Sequence, residues 1–479
     1  MEPSSNGSGG ERRRATAVRL EGGKRGRASA VSTSSVHNLG ADVLCIIFSH
    51  LDPGELVRCA AVCKIWNNII FTSTLMRDLY DKIILHTRLF ANHSNSTETP
   101  MKFFECLALE QHKASLIGNS AEVYQWNVHS SRISLCRMKR GLILSGAEDK
   151  VMRLWSAESF KCLNEYHNLS KNSLVDFDFD ENKIVGLTKS QICIWTLKSG
   201  KGIFCSRQGI FSQGICMRYM DPEAVVGCDD GRAHVFDMYS GRCTRIIWMH
   251  GAPISCLALS EDQLVFGGSN FGTVAMADLS TGEQVFLLKS ACSYSGLKCL
   301  CLNSHLLFAG SIGGYAHCWD LRTLKPLWER RVSPNVLYSM HHLANDTSTL
   351  AVAGLDGVLR ILDQITGEVL SSLIMEPSVE PDGLSANGSG FNSIRKAKAL
   401  STDIQIHSIP RLQRPPVTSL AVGLRKIVTA HNETYLSMWR FNQSFGFLLI
   451  NIALAWPQLT TSTNIMTTRT LKHKELTTY

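Results

Sequence analysis

Cys59 and Cys63 stand one helical turn apart, with His50 nearby, which is the beginning of a metal-ligand set. A closed zinc site needs four donors, and this stretch supplies three, so both cysteines read as small apolar residues of a helix. His129 and Asp149 are types that move protons in acid–base chemistry. No nucleophile elbow or metal-binding His pair accompanies them. Cys299, Cys301, His341 and His342 fall in apolar strand or loop segments. Arg153, Arg232 and Arg360 could receive a phosphorylated segment, but outward-facing strand arginines are common and they are not assigned as sites. The Gly-rich "NGSGG" lacks the Lys of a phosphate loop. No catalytic residue, cofactor site or metal site is assigned, and the chain is expected to act by binding.

Composition narrows the partners. The chain has 479 residues, 44% hydrophobic and 19% charged, with net charge +8. Residues 1–36 hold Arg12, Arg13, Arg14, Arg19, Lys24, Arg25 and Arg27 against Glu2, Glu11 and Glu21, so half of that charge belongs to a Ser/Gly/Arg-rich tail expected to be disordered. The tail is either a nuclear import signal or simply solvated. The remaining body is too weakly basic to announce nucleic acid. The 16 cysteines are scattered, and no apolar leader precedes them, which points to free thiols in a reducing compartment, cytoplasmic or nuclear. The longest apolar run, "FGFLLINIALAW", has 12 residues, short of the ~20 that a membrane span requires.

The elements that must position any site come in two kinds. Residues 41–70 are helical in pattern, with Leu44, Ile47, Phe48 and Leu51 at i, i+3, i+4 and i+7. "LDPGEL" restarts the helix, with Asp52 as cap, Pro53 at the first position and Glu55 three after the cap. Leu56, Cys59, Ala60 and Cys63 form a second stripe, and Val62, Ile65, Trp66 and Ile69 a third. About 40 residues cannot bury that much apolar surface unaided, so the unit requires a partner. Residues 81–119 read as a helical linker.

From residue 120 a repeat runs through Trp155, Trp195, Phe236, Ala277, Trp319, Leu362 and Trp439, spaced 40, 41, 41, 42, 43 and 77 apart. Four short strands with tight turns occupy ~40 residues, one propeller blade. Seven anchors predict seven blades over 120–445, the long spacing being one blade plus a Pro/Ser/Gly-rich insertion, 375–416, expected to be a disordered loop. Trp126 precedes Trp155 by only 29 residues, so "AEVYQW" is expected to be an extra strand that closes the ring on the last blade. "SFGFLLINIALAW" is a second candidate for the outer strand of that blade. The remainder of the 446–479 tail carries no repeat character.

These segments resemble WD repeats, although only Trp319–Asp320 keeps the literal dipeptide. The resemblance implies a blade tetrad of His129, Ser145, Asp149 and Trp155. Asp230 and Asp356 keep the turn position, whereas Lys189, Phe271, Gly313 and Glu433 replace it elsewhere. Residues 37–80 resemble an F-box in Leu39, Ile47–Phe48, Leu51–Asp52, Arg58, Val62–Cys63 and Trp66, with Gly40 where the family has Pro. The whole is similar to F-box/WD-repeat proteins, and "MRYMDPEAVVGCDDGRAHVFDMYS" resembles the plant members. The resemblance implies a small all-α F-box module followed by an all-β seven-bladed propeller. It also implies adaptor binding through Leu39, Leu44, Ile47, Phe48, Leu51, Leu56, Val62 and Trp66. The implied role is a non-catalytic substrate receptor of a cullin–RING ubiquitin ligase whose propeller binds an unknown target protein. A WD-repeat scaffold with a non-recruiting helical module is the alternative.

Overall fold

The computed structural model describes residues 39–51, 53–75, 78, 100–118, 120–167, 173–290, 295–376, 393–400, 409–411 and 414–441. The expectations for residues 1–36 and 446–479, and for Asp52 as a cap, fall outside them. The chain divides into two compact units, one ending at Leu75 and one beginning at Met76.

The first unit is three short helices: α1 (Ala41–Phe48), α2 (Pro53–Ala60) and α3 (Lys64–Thr72). Its interior holds Leu44, Phe48, Leu56, Ala60, Ile70 and Leu75, all buried. Phe48 meets Trp66 edge to face, with ring centroids 5.4 Å apart. Cys63 starts α3: its Sγ accepts from the Trp66 backbone N–H at 3.5 Å, so this thiol caps a helix.

In the second unit, α4 (Pro100–Ile117) leads into the ring, and residues 81–99 of the expected linker lie outside the described residues. Leu116 is buried in the core shared by the last two blades, and the Ser371 hydroxyl donates to its carbonyl at 3.0 Å. Blades 1 to 6 occupy 133–167, 174–205, 214–248, 254–289, 297–331 and 337–375, each a four-stranded antiparallel meander. Blade 7 takes three strands from 419–441, and its outer strand is Ala121–Asn127. That closing strand pairs Val123 with Trp439 and Trp126 with Leu436, as its position before the first repeat predicts. The place proposed for "SFGFLLINIALAW" is therefore filled by residues from the other end of the ring.

Of the insertion, residues 377–392 and 401–408 lie outside the described residues, and one described part differs from expectation. Ser393–Ala399 is a strand, not a disordered loop. It pairs on one side with blade 6, Met375 to Ala397, and on the other with the closing strand, Glu122 to Lys396. Blades 6 and 7 thereby join into one nine-stranded sheet. Its sequence, SIRKAKA, alternates, with Ala397 and Ala399 packed against the core of blades 6 and 7 and Lys396 and Lys398 exposed.

The blade anchors pack between neighbouring sheets. Trp195, Trp319, Trp439 and Phe236 are at most 1% exposed. A Cβ on Gly186 would lie 2.8 Å from the Trp195 ring, so that ring requires the glycine.

Candidate protein-interaction surfaces

Folding sorts the apolar residues of the helical unit into two sets. Leu44, Phe48 and Leu56 were expected on the adaptor surface, but they are buried among the helices. Periodicity places residues on one face without saying whether that face turns inward. Leu51 and Trp66 are half-buried. Leu39, Ile47 and Val62 are exposed as expected. They are joined by Ile65, a member of the third stripe, and by Val43 and Ile46, which the stripe pattern did not single out; Val43, Ile46 and Ile47 share a helical face by spacing. Exposures of 63% for Ile46, 63% for Val62 and 59% for Ile65 are unusual for β-branched aliphatics, and all six residues are exposed apolar surface.

Gly40 precedes α1 with φ −61° and ψ 155°, a conformation proline adopts without strain. A Cβ there would meet nothing within 4 Å, and the Gly40 N–H makes no backbone hydrogen bond among the described residues. Gly40→Pro is therefore expected to stabilise the helical unit by about 0.4–1 kcal/mol through the unfolded chain. A urea melt followed by helical circular dichroism checks this.

The structure brings His129, Ser145, Asp149 and Trp155 together in blade 1. His129 Nε2 lies 2.9 Å from Ser145 Oγ, and Trp155 Nε1 donates to the same hydroxyl at 3.0 Å. Asp149 Oδ2 lies 3.2 Å from His129 Nδ1. Arg153 also joins: its Nη1 lies 2.7 Å from His129 Nδ1 and donates to Asp149 Oδ2 at 3.3 Å, and its Nε donates to Glu165 at 2.7 Å. Each side chain is thus engaged in joining strands.

Other blades hold their turns differently. In blade 7, Trp439 Nε1 donates to Thr429 Oγ1 at 3.0 Å, which lies 2.8 Å from His431 Nε2. In blade 6, Asp356 accepts from Ser333 at 2.8 Å and pairs with Arg360 at 2.7 Å. Arg153 and Arg360 are therefore occupied within their blades, and of the three strand arginines Arg232 is the exposed one. Cys299 lies buried with Cys301 half-buried on the inner strand of blade 5, and His341 ends that of blade 6.

Burial makes the ring sensitive to acid. It pushes His112 and His431 down to about 4, although Asp346 opposes the shift at His112. Burial also lowers His129, with Asp149 opposing. Such histidines protonate in the unfolded chain first, so stability is lost as pH falls from ~6.5 toward 4. By pH 5 each of His112 and His431 is expected to cost about 2 kcal/mol. His342 acts oppositely. Burial disfavours its cation, but Cys301 and the carbonyls of Leu302 and Leu343, 2.9 and 2.7 Å from its ring nitrogens, raise it to about 9. Its contribution is lost as pH rises from ~6.5 through 9. Melts at pH 7.5 and 5.0 should show the lower midpoint at pH 5.0, with a smaller difference in His431→Gln.

Comparison with known proteins fits both units. A family model described as F-box-like matches residues 39–82. An F-box/WD-40 repeat-containing protein of Arabidopsis thaliana is 44% identical over 439 residues, covering 86% of this chain and 96% of that protein. Autophagy-related protein 16 of the same plant is 21% identical over 49% of this chain and 47% of its own length. Among solved structures, the computationally designed protein Ika8 aligns with a TM-score of 0.46 at 16% identity, over 65% of this chain and 97% of that one.

Proposed function

Because the chain belongs to the F-box/WD-40 repeat proteins, we propose that it is the substrate-recognition subunit of an SCF-type ubiquitin ligase. The F-box binds the small helical adaptor, and the propeller presents a target protein. The observation that carries this reading is the exposed apolar set on α1 and the α2–α3 corner: Leu39, Val43, Ile46, Ile47, Val62 and Ile65. Their helices already have a core of their own in Leu44, Phe48 and Leu56, so these outer residues are not required for folding. An adaptor's apolar face would remove them from water at ~25 cal/mol per Å² of apolar area buried.

The mechanism is proximity. A target held on the ring places its lysines beside a charged conjugating enzyme, and the gain is effective concentration. The histidines and carboxylates that sequence alone would offer for catalysis are engaged in the blade tetrad. The proposed chain supplies binding, and the transfer chemistry belongs to the assembled ligase.

Affinity purification of the tagged chain after proteasome blockade tests this reading. Adaptor, cullin and a target that accumulates with the block are the expected companions. Recovery of stable partners without adaptor or cullin would favour a propeller scaffold with a non-recruiting helical module.

A further inference from the structure

The inner strands of the ring enclose a channel whose lining carries more positive charge than its own carboxylates match. A cavity of about 390 Å³ is lined by Arg137 and Lys139 from blade 1, Arg218 from blade 3 and Lys298 from blade 5. Opposite them stand Asp176 and Asp178 from blade 2, and His341 of blade 6 lines the same passage.

Both carboxylates are already engaged by the fold. Asp176 accepts the Met217 N–H at 2.9 Å and pairs with Arg137 at 3.0 Å and Arg218 at 3.3 Å. Asp178 accepts the Tyr219 N–H at 3.3 Å and pairs with Lys139 at 2.7 Å. They tie blade 2 to blades 1 and 3, and four cations face two anions. Lys298 is exposed and makes no ion pair among the described residues. His341 senses this imbalance. Burial first, then the charges of His342, Arg137, Arg218 and Lys139, hold it down to about 3, and its Nδ1 accepts the Val422 N–H at 3.3 Å. The imidazole is neutral and adds no charge of its own.

We propose that this channel binds a small free polyanion of the phosphate class, carrying two or more negative charges between Arg218, Lys298 and the blade 1 cations. Fixed cations around a narrow, low-dielectric passage focus positive potential, and a guanidinium can present two N–H donors to phosphate oxygens. The volume suits a small ligand. The site is independent of the F-box and does not rest on the ligase reading.

Calorimetric titration of the full-length chain with pyrophosphate, and separately with inorganic phosphate, tests it at low ionic strength. One pyrophosphate per chain is expected, bound at least tenfold tighter than phosphate and weakened by added salt. Lys298→Gln should weaken pyrophosphate at least fivefold without moving the melting midpoint, and Arg218→Gln should weaken it further. Arg232→Gln, at the exposed start of a blade 3 strand, should change nothing. Absence of saturable binding up to millimolar pyrophosphate would overturn the proposal, as would affinity indifferent to Lys298→Gln. Saturable binding of a phosphoserine peptide with none of free pyrophosphate would overturn it in favour of a protein ligand.

Discussion

The double variant Ile47→Asp, Val62→Asp is expected to lose the adaptor by roughly a thousandfold in affinity while retaining its helices and its ring. Both residues are exposed, at 43% and 63%, so a carboxylate on either remains in water in the free chain. In the complex the same carboxylate would lie in an apolar interface without a partner. An interface anchor is worth about 2 kcal/mol, and two of them correspond to roughly three orders of magnitude. Phe48→Ala should behave differently. That ring is 2% exposed and packs on Trp66, so truncation removes about 3–5 kcal/mol from the unit's own core. A unit this small has little reserve, and its helical signal should fall along with adaptor binding. Helical circular dichroism and adaptor titration on both variants separate surface from core. If Ile47→Asp, Val62→Asp kept full affinity, the exposed set would not be the adaptor face.

The second large effect concerns closure of the ring. A chain beginning at residue 119 is expected to unfold in one cooperative urea transition, whereas one beginning at 128 should show none. The difference is the closing strand Ala121–Asn127, which supplies Val123 at 0% and Trp126 at 1% exposure and pairs along blade 7. Burying such side chains is worth about 1.5–3 kcal/mol each, and the strand also supplies the edge on which Ser393–Ala399 rests. Its loss would expose two sheet edges and remove much of the 5–15 kcal/mol that typically holds a domain together. Val123→Asp should approach the same state by burying a charge, at a cost of about 4 kcal/mol. An unchanged transition in the chain beginning at 128 would mean that another segment closes the ring, with 444–456 the natural candidate.

Much of this was legible in the sequence because the signals are local. Trp155, Trp195, Trp319 and Trp439 recur at the length of one blade and are buried between sheets as that spacing requires. Trp126 fails the spacing, and this failure identified the closing strand. Ser393–Ala399 was not legible, since the residues it turns toward the core, Ala397 and Ala399, are too small to stand out as an apolar pattern and its two edges are held by backbone bonds. On the helices, periodicity grouped Leu44, Ile47 and Phe48 together, yet Ile47 is exposed while the other two are buried. A stripe around 100° wide spans both an inward face and its margin, and only packing divides them. The roles of Arg153 and Arg360 depended on partners from neighbouring strands. The channel charges are hardest to foresee, because Arg137, Arg218 and Lys298 come from three blades and meet only when the ring closes.

Direct titration of purified full-length chain with purified cullin–RING adaptor is the measurement closest to the central claim. A single saturable complex of one chain with one adaptor, abolished by Ile47→Asp, Val62→Asp, is the predicted result. A chain with its helices intact and its ring folded that binds no adaptor at micromolar concentration would contradict the account.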